Sequence, residues 1–157
     1  MINLNDQVFG TVSAKRPVIS GLGATRTLNE TESGSLVVLD RAAGIVVTLP
    51  TAKVGQYFDF KVTTSVTSNA YKILTGAGTE FLTGGYVSVD TDTSNAVAYF
   101  TGNGTTHVAV NMTPAGSNAL GGLIGTQLRF TCLSSTLWSV EGVNNGGGTV
   151  ATAFATS

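Results

Sequence analysis

Apolar and polar positions alternate with a period of two through Tyr57-Phe58-Asp59-Phe60-Lys61-Val62. Phe58, Phe60 and Val62 fall on one side and Asp59 and Lys61 on the other, the pattern of a strand with one buried and one wet face. Two shorter apolar segments rich in β-branched residues precede it, Leu-Val-Val-Leu at 36–39 and Ile-Val-Val-Thr-Leu at 45–49, each bounded by turn residues. The stretch 36–62 therefore predicts the nucleus of an all-β domain, with Leu36, Val38, Val47, Leu49, Phe58 and Phe60 as core scaffold. The link Asp40-Arg41-Ala42-Ala43-Gly44 is short enough for an antiparallel hairpin between 36–39 and 45–49, with Gly44 free to take a positive φ. Pro50 ends the second strand.

The same reading extends along the chain. A short strand at 25–29 runs into the turn Glu-Thr-Glu-Ser-Gly-Ser at 30–35, and further strands fall at 71–74 and 86–89. Segment 96–101 pairs with 105–111 across Gly102-Asn103-Gly104. A last hairpin joins 123–133 to 137–142 around Ser134-Ser135, with Leu128, Phe130 and Cys132 on one face and Trp138, a further core residue, and Val140 opposite them. About nine strands, no helix of any length and turn signals every eight to twelve residues or so predict a β-sandwich or barrel. No internal repeat of fixed period is visible, which argues against propellers and solenoids.

The ends differ from the middle. Residues 1–24 lack sustained periodicity and are punctuated by Gly10, Pro17, Gly21 and Gly23, so they read as an extended arm or a disordered leader. Fully extended, that segment reaches up to about 80 Å, far enough to lie across a neighbouring subunit. Asn144-Asn145-Gly146-Gly147-Gly148 reads as a flexible joint, which makes 144–157 a tail or a final edge strand. The β-domain proper is then 25–143.

A chain of 157 residues fits one domain, and such a domain buries about 70% of its unfolded surface. Charged residues make up 11% of it, against about 25% in a typical soluble domain. The surface is thus hydroxyl and amide rather than ionic, which favours cover by a partner. The formal net charge of -1 supplies no field to draw nucleic acid or anionic lipid. Lys15, Arg16 and Arg26 are too few to hold nucleic acid firmly. One cysteine allows no intramolecular disulfide, and no apolar run approaches the roughly 20 residues that cross a bilayer.

Chemistry-bearing residues are sparse, and no catalytic, cofactor or metal site is expected. His107, the single histidine, reads as a strand-surface residue, and with Cys132 it cannot complete a zinc site. Cys132 lies on an alternating apolar face where an inert thiol is expected. Asp90 and Asp92 could hold a cation, but the calcium loop with its terminal Glu is missing, so a solvated loop is the simpler reading. A glycosidase pair could be drawn from Glu80, Asp90, Asp92 and Glu141 if two of them came within about 5–9.5 Å. The glycine clusters precede no helix and end in no Gly-Lys-Ser/Thr, so they are turns and not phosphate cradles.

Three motifs carry a family resemblance: Arg26-Thr27-Leu28; Glu32-Ser33-Gly34-Ser35-Leu36-Val37-Val38-Leu39-Asp40; and Gly44-Ile45-Val46-Val47-Thr48-Leu49-Pro50 followed by Gly55-Gln56-Tyr57-Phe58-Asp59-Phe60. Over about 26–75 the chain resembles bacteriophage head decoration, or cement, proteins and related β-structured modules of phage fibres. The resemblance implies a jelly-roll-like antiparallel β-sandwich, commonly a homotrimer. Made in the host cytoplasm, such a protein sits on the outer capsid surface of the virion and bridges major capsid proteins to stabilise the shell. It further implies that the N-terminal arm lies on the shell, with Phe9, Lys15, Arg16 and Ile19 as anchors. The alternative is a receptor- or glycan-binding module of a head or tail fibre, using exposed Tyr86, Tyr99 or Trp138 to stack on sugars.

Overall fold

In the computed structural model, which describes residues 15–92, 96–114 and 118–157, the first six strands alternate between two sheets. Strands β1 (Val18–Ile19), β3 (Leu36–Leu39) and β5 (Tyr57–Val62) lie side by side and parallel in one sheet. Strands β2 (Thr25–Thr27), β4 (Ile45–Thr48) and β6 (Tyr71–Leu74) do the same in the other. The chain thus winds around the core as a short solenoid does, each circuit adding one strand to each sheet. Connections of unequal length hide this winding from a search for a fixed repeat.

The remaining strands complete the two layers. β7 (Phe81–Asp90), β8 (Val97–Thr101), β9 (Ala109–Met112), β10 (Gln127–Ser134), β11 (Leu137–Gly146) and β12 (Phe154–Ala155) follow in order. One sheet has seven strands in the order β1-β3-β5-β10-β11-β7-β8, and the other five in the order β12-β9-β6-β4-β2. The fold is an all-β sandwich, as the pattern predicts, and both sheets are mixed where antiparallel pairing throughout was expected.

Two predicted hairpins do not form. β3 and β4 belong to different sheets, so the 40–44 link is a corner that carries the chain across the core. Gly44 does adopt φ +84, and a Cβ there would stand 2.5 Å from the Ala70 carbonyl oxygen. Likewise β8 pairs with β7, while β9 pairs with β6 and β12. The Gly102-Asn103-Gly104 turn signal is therefore a second inter-sheet crossing, tightened by Asn103 Oδ1, which accepts the N–H groups of Thr105, Thr106 and His107. Turn chemistry reports that the chain reverses and is silent on which sheet receives it. The β10–β11 hairpin forms as predicted, with a bulge between Cys132 and Ser134.

The core fills the space between the sheets. Val47, Leu49, Phe58, Phe60 and Trp138 are buried as predicted. Leu36 and Val38 are not core residues: the buried side of β3 is Val37 and Leu39, level with Phe60 and Val62 of β5. In an all-apolar Leu-Val-Val-Leu run nothing marks the inward face, and a register shift of one turns every side chain over. Phe60 meets Phe130 edge to face at 5.3 Å, and Phe58 lies 6.4 Å from Trp138. The Trp138 indole N–H donates to Glu80 Oε2 at 3.3 Å. Glu80, itself buried, also accepts from the backbone N–H groups of Ala52 and Gly76. That carboxylate ties β7 and β11 to the links after β4 and β6.

At the ends, order extends further than the sequence pattern suggests. Part of segment 1–24 is β1, the parallel edge of the seven-stranded sheet, with Ile19 packed against the core. At the other end β11 continues to Gly146, and of the two readings of 144–157 the edge strand is the one observed, as β12 on β9. Tyr86 Oη accepts the Ala153 N–H at 2.6 Å, and its ring stacks on Phe154 at 5.1 Å.

Candidate functional site

The outward side chains of β5 and β10 are polar because both strands alternate, Tyr57, Asp59 and Lys61 on one and Gln127, Arg129 and Thr131 on the other. Their antiparallel register sets Asp59 opposite Arg129 and Lys61 opposite Gln127. Extending the rows across the sheet, Leu36, Asp59, Arg129 and Glu141 fall in one line. Val38, Lys61, Gln127, Val143, Val87 and Tyr99 fall in the next. Leu36 and Val38 belong to this outer face, which is why they are half-buried.

Asp59 is the centre of the polar end. Arg129 grips it with two parallel bonds, Nε to Oδ1 at 2.6 Å and Nη2 to Oδ2 at 2.7 Å. Arg16 adds a third contact at 2.5 Å, while its own Nε and Nη2 donate to the carbonyls of Gly34 and Ser35. The hydrogen bond from Arg129, reinforced by Arg16, holds the Asp59 carboxyl below the usual aspartate range against the opposing effect of burial. Asp59 in turn pushes the Arg129 guanidinium further up. The guanidinium also lies over the Tyr57 ring, 5.5 Å from its centroid, a cation–π geometry. Lys61 Nζ reaches Gln127 Oε1 at 3.4 Å.

Between these groups runs an open groove of about 590 Å³, bordered by Arg16, Lys61, Gln127, Arg129, Glu141 and Val143. Three cations against two carboxylates leave it weakly positive. A guanidinium fixed by one carboxylate keeps further N–H donors for a second acceptor. The groove is thus fitted to a loop or strand that offers carboxylate or carbonyl oxygens beside an apolar residue.

The predicted anchors are distributed unevenly. Phe9 lies outside the described residues. Lys15 is exposed, and Arg16 is committed to Asp59, Gly34 and Ser35 of its own domain. Arg16, at the start of the described chain, is therefore fixed at the border of this groove. The sequence pattern put Asp59 and Lys61 on a wet face but passed over Arg129, Tyr57 and Glu141 as a group. Asp59 and Arg129 are 70 positions apart, and only the β5–β10 pairing joins them.

Of the other chemistry-bearing residues, Asp90 and Asp92 are neighbours, the Asp92 N–H donating to Asp90 Oδ1 at 3.0 Å, and the rest are dispersed. Glu80 and Asp90 flank the two ends of β7, and Glu141 is level with Gly85 near its middle on the opposite face. At about 3.3 Å per residue those separations exceed the span of a glycosidase pair. Cys132 is buried in β10 with its thiol pushed up by burial, and it donates to the Ser134 carbonyl. His107 stands in the crossing between β8 and β9, not within a strand. Its Nδ1 accepts the Asn103 N–H, and its ring stacks on Phe154 at 5.5 Å. Among the described residues no group of three or more His, Cys, Asp or Glu is placed to hold a metal ion. Tyr86 and Trp138 are buried, so of the three aromatics named for sugar stacking Tyr99 alone faces solvent.

The fold and this face define a two-sheet β-sandwich with one polar-to-apolar outer surface. No protein-family model, no curated protein and no solved structure matches the chain.

Proposed function

We propose that this chain is a structural virion protein that decorates the outer surface of a phage head and bridges major capsid proteins. The segments that carry the resemblance, 26–28, 32–40, 44–50 and 55–60, contain β2 to β5, of which β3 and β5 border the groove. The observation that supports the reading most is the Arg16–Asp59–Arg129 cluster, because it fastens the start of the described chain at Arg16 to the border of the groove. An arm and a groove that act together give two weak contacts the effective concentration of a linked pair. Load from packaged DNA would then have to break both at once.

Binding to emptied, expanded heads of the phage that encodes the chain tests this. Full-length protein should coat the shells to saturation, and a variant that begins at Lys15 should bind at least tenfold more weakly while keeping its melting temperature. Cutting at Thr25 instead removes β1 and Ile19, so it tests folding and not binding. Full-length protein that leaves the shells bare, or equal binding without residues 1–14, would refute the respective parts. A fibre module retains Tyr99 as its solvent-facing stacking group, and glycan-array binding abolished by Tyr99→Ala would favour that alternative.

A further inference from the structure

Sheets end in edges, and among the described residues three of the four edges are blunted. β1 and β12 are two residues long, β1 preceded by Lys15, Arg16 and Pro17, and β2 is three residues with Arg26 at its centre. β8 is different: five residues, Val-Ala-Tyr-Phe-Thr, with no charge, no proline and no bulge in its pairing to β7. Long, uncharged edges are what natural β proteins avoid unless something pairs with them.

The hydrogen-bond phase of β8 states what it can pair with. Asp90 N–H donates to the Ala96 carbonyl and Gly102 N–H to the Gly84 carbonyl, so the even-numbered residues 96 to 102 turn their backbone groups toward β7. Val97, Tyr99 and Thr101 therefore direct their N–H and C=O groups off the open edge. Val97 and Tyr99 are 65% and 63% exposed. The Tyr99 ring leans back over Gly85, where an added Cβ would stand 2.7 Å from it, and so away from the edge.

We propose that this edge is the docking surface for a second copy of the same chain, β8 pairing antiparallel with β8 about a two-fold axis at Tyr99. In that register Tyr99 faces Tyr99 and Val97 faces Thr101 of the other copy. All three outward residues of each strand then exchange both bonds, and no edge donor or acceptor between Val97 and Thr101 is left over. A strand free of charge can lie against its own copy without like-charge repulsion, a condition that β2, with Arg26, does not meet. Val87 and Val143 continue the Tyr99 row on the inner side of β8, so the two copies joined edge to edge present one continuous apolar strip on the outer face. The contact is isologous and closes at two copies, so a pair is the unit this edge builds in place of the three copies the resemblance implies. It stands independently of the capsid reading. Five residues a side are a small interface, and the expected Kd is about 1–100 μM.

Cysteine cross-linking of purified full-length protein, without shells, reads the register. Directly opposed residues of this type sit about 5.5 Å apart at Cα, inside the roughly 4.4–6.8 Å reach of a disulfide. Under mild oxidation at about 100 μM protein, the upper end of that Kd range, Tyr99→Cys should give a linked dimer. Val97→Cys and Thr101→Cys should each stay monomeric alone and link when mixed. Val97→Pro removes an outward N–H without touching the β7 ladder, so it should weaken sedimentation-measured dimerisation at least tenfold at unchanged melting temperature. No link through Tyr99→Cys, equal linking by all three single variants, or a wild-type trimer indifferent to Val97→Pro would overturn the proposal, the last because the assembly would then not use this edge.

Discussion

Asp59 and Arg129 face each other across the β5–β10 pair, joined by two parallel N–H···O bonds of 2.6 and 2.7 Å. Because Arg129 and Arg16 hold the Asp59 carboxyl below its ordinary value of 3.8, the charge contributes stability that is complete above that value. The contribution is lost as pH falls through the folded value. Asp59→Asn should cost about 1 kcal/mol at pH 7, the range for a well-aligned surface pair. Denaturant titrations should show the deficit shrinking with added salt and vanishing in acid. A deficit independent of pH would mean that Asn is misfitted and the charge is unimportant.

Glu80 offers a second test. Its carboxylate accepts three N–H donors, from Ala52, Gly76 and Trp138, in a buried setting. A buried donor left bare costs about 1–3 kcal/mol. Glu80→Ala should therefore destabilise by at least about 2 kcal/mol, with Glu80→Gln intermediate because its amide N–H₂ confronts a donor. Fluorescence of Trp138, the single tryptophan, reports both the unfolding midpoint and the change around the indole.

How much of this was legible in the sequence depends on whether the cue was local. Alternation in 57–62 and 127–133 placed Phe58, Phe60 and Phe130 inside and Asp59 and Lys61 outside. The uniformly apolar 36–39 carried no such cue, and Val37 and Leu39 took the core where Leu36 and Val38 were expected. Gly44 was readable as a positive-φ position, yet the partner of the strand it precedes was not, since parallel pairing leaves no short connection to signal it. Glu80 as a buried latch escaped notice altogether, because a lone carboxylate between two glycine-rich turns reads as surface.

Removing the Tyr86 hydroxyl probes the C-terminal closure. Tyr86→Phe keeps the ring stacked on Phe154 and withdraws the acceptor of the Ala153 N–H. The expected cost is about 1–3 kcal/mol. Hydrogen exchange should show faster opening confined to 150–157 and its contacts on β9, and uniform acceleration across both sheets would contradict a local role.

Cys132 should be silent toward thiol reagents in the native state. It is buried, and that burial pushes its thiol away from the reactive thiolate form. Labelling at pH 8 should follow the global unfolding rate in denaturant. Rapid labelling in buffer would show that β10 opens locally at the Cys132–Ser134 bulge.

The strand order has a consequence for the time course of synthesis. β5 and β7 sit in the same sheet but do not touch; the β10–β11 hairpin, made near the end of the chain, is inserted between them. A nascent chain that has emerged as far as β9 holds two partial layers with an unfilled slot, whose flanking β5 and β7 edges are bare. Pairings of such long sequence separation form slowly. The β10–β11 hairpin is then a keystone, and the interval before it arrives is when the unfinished molecule is most exposed to pairing with the wrong strand.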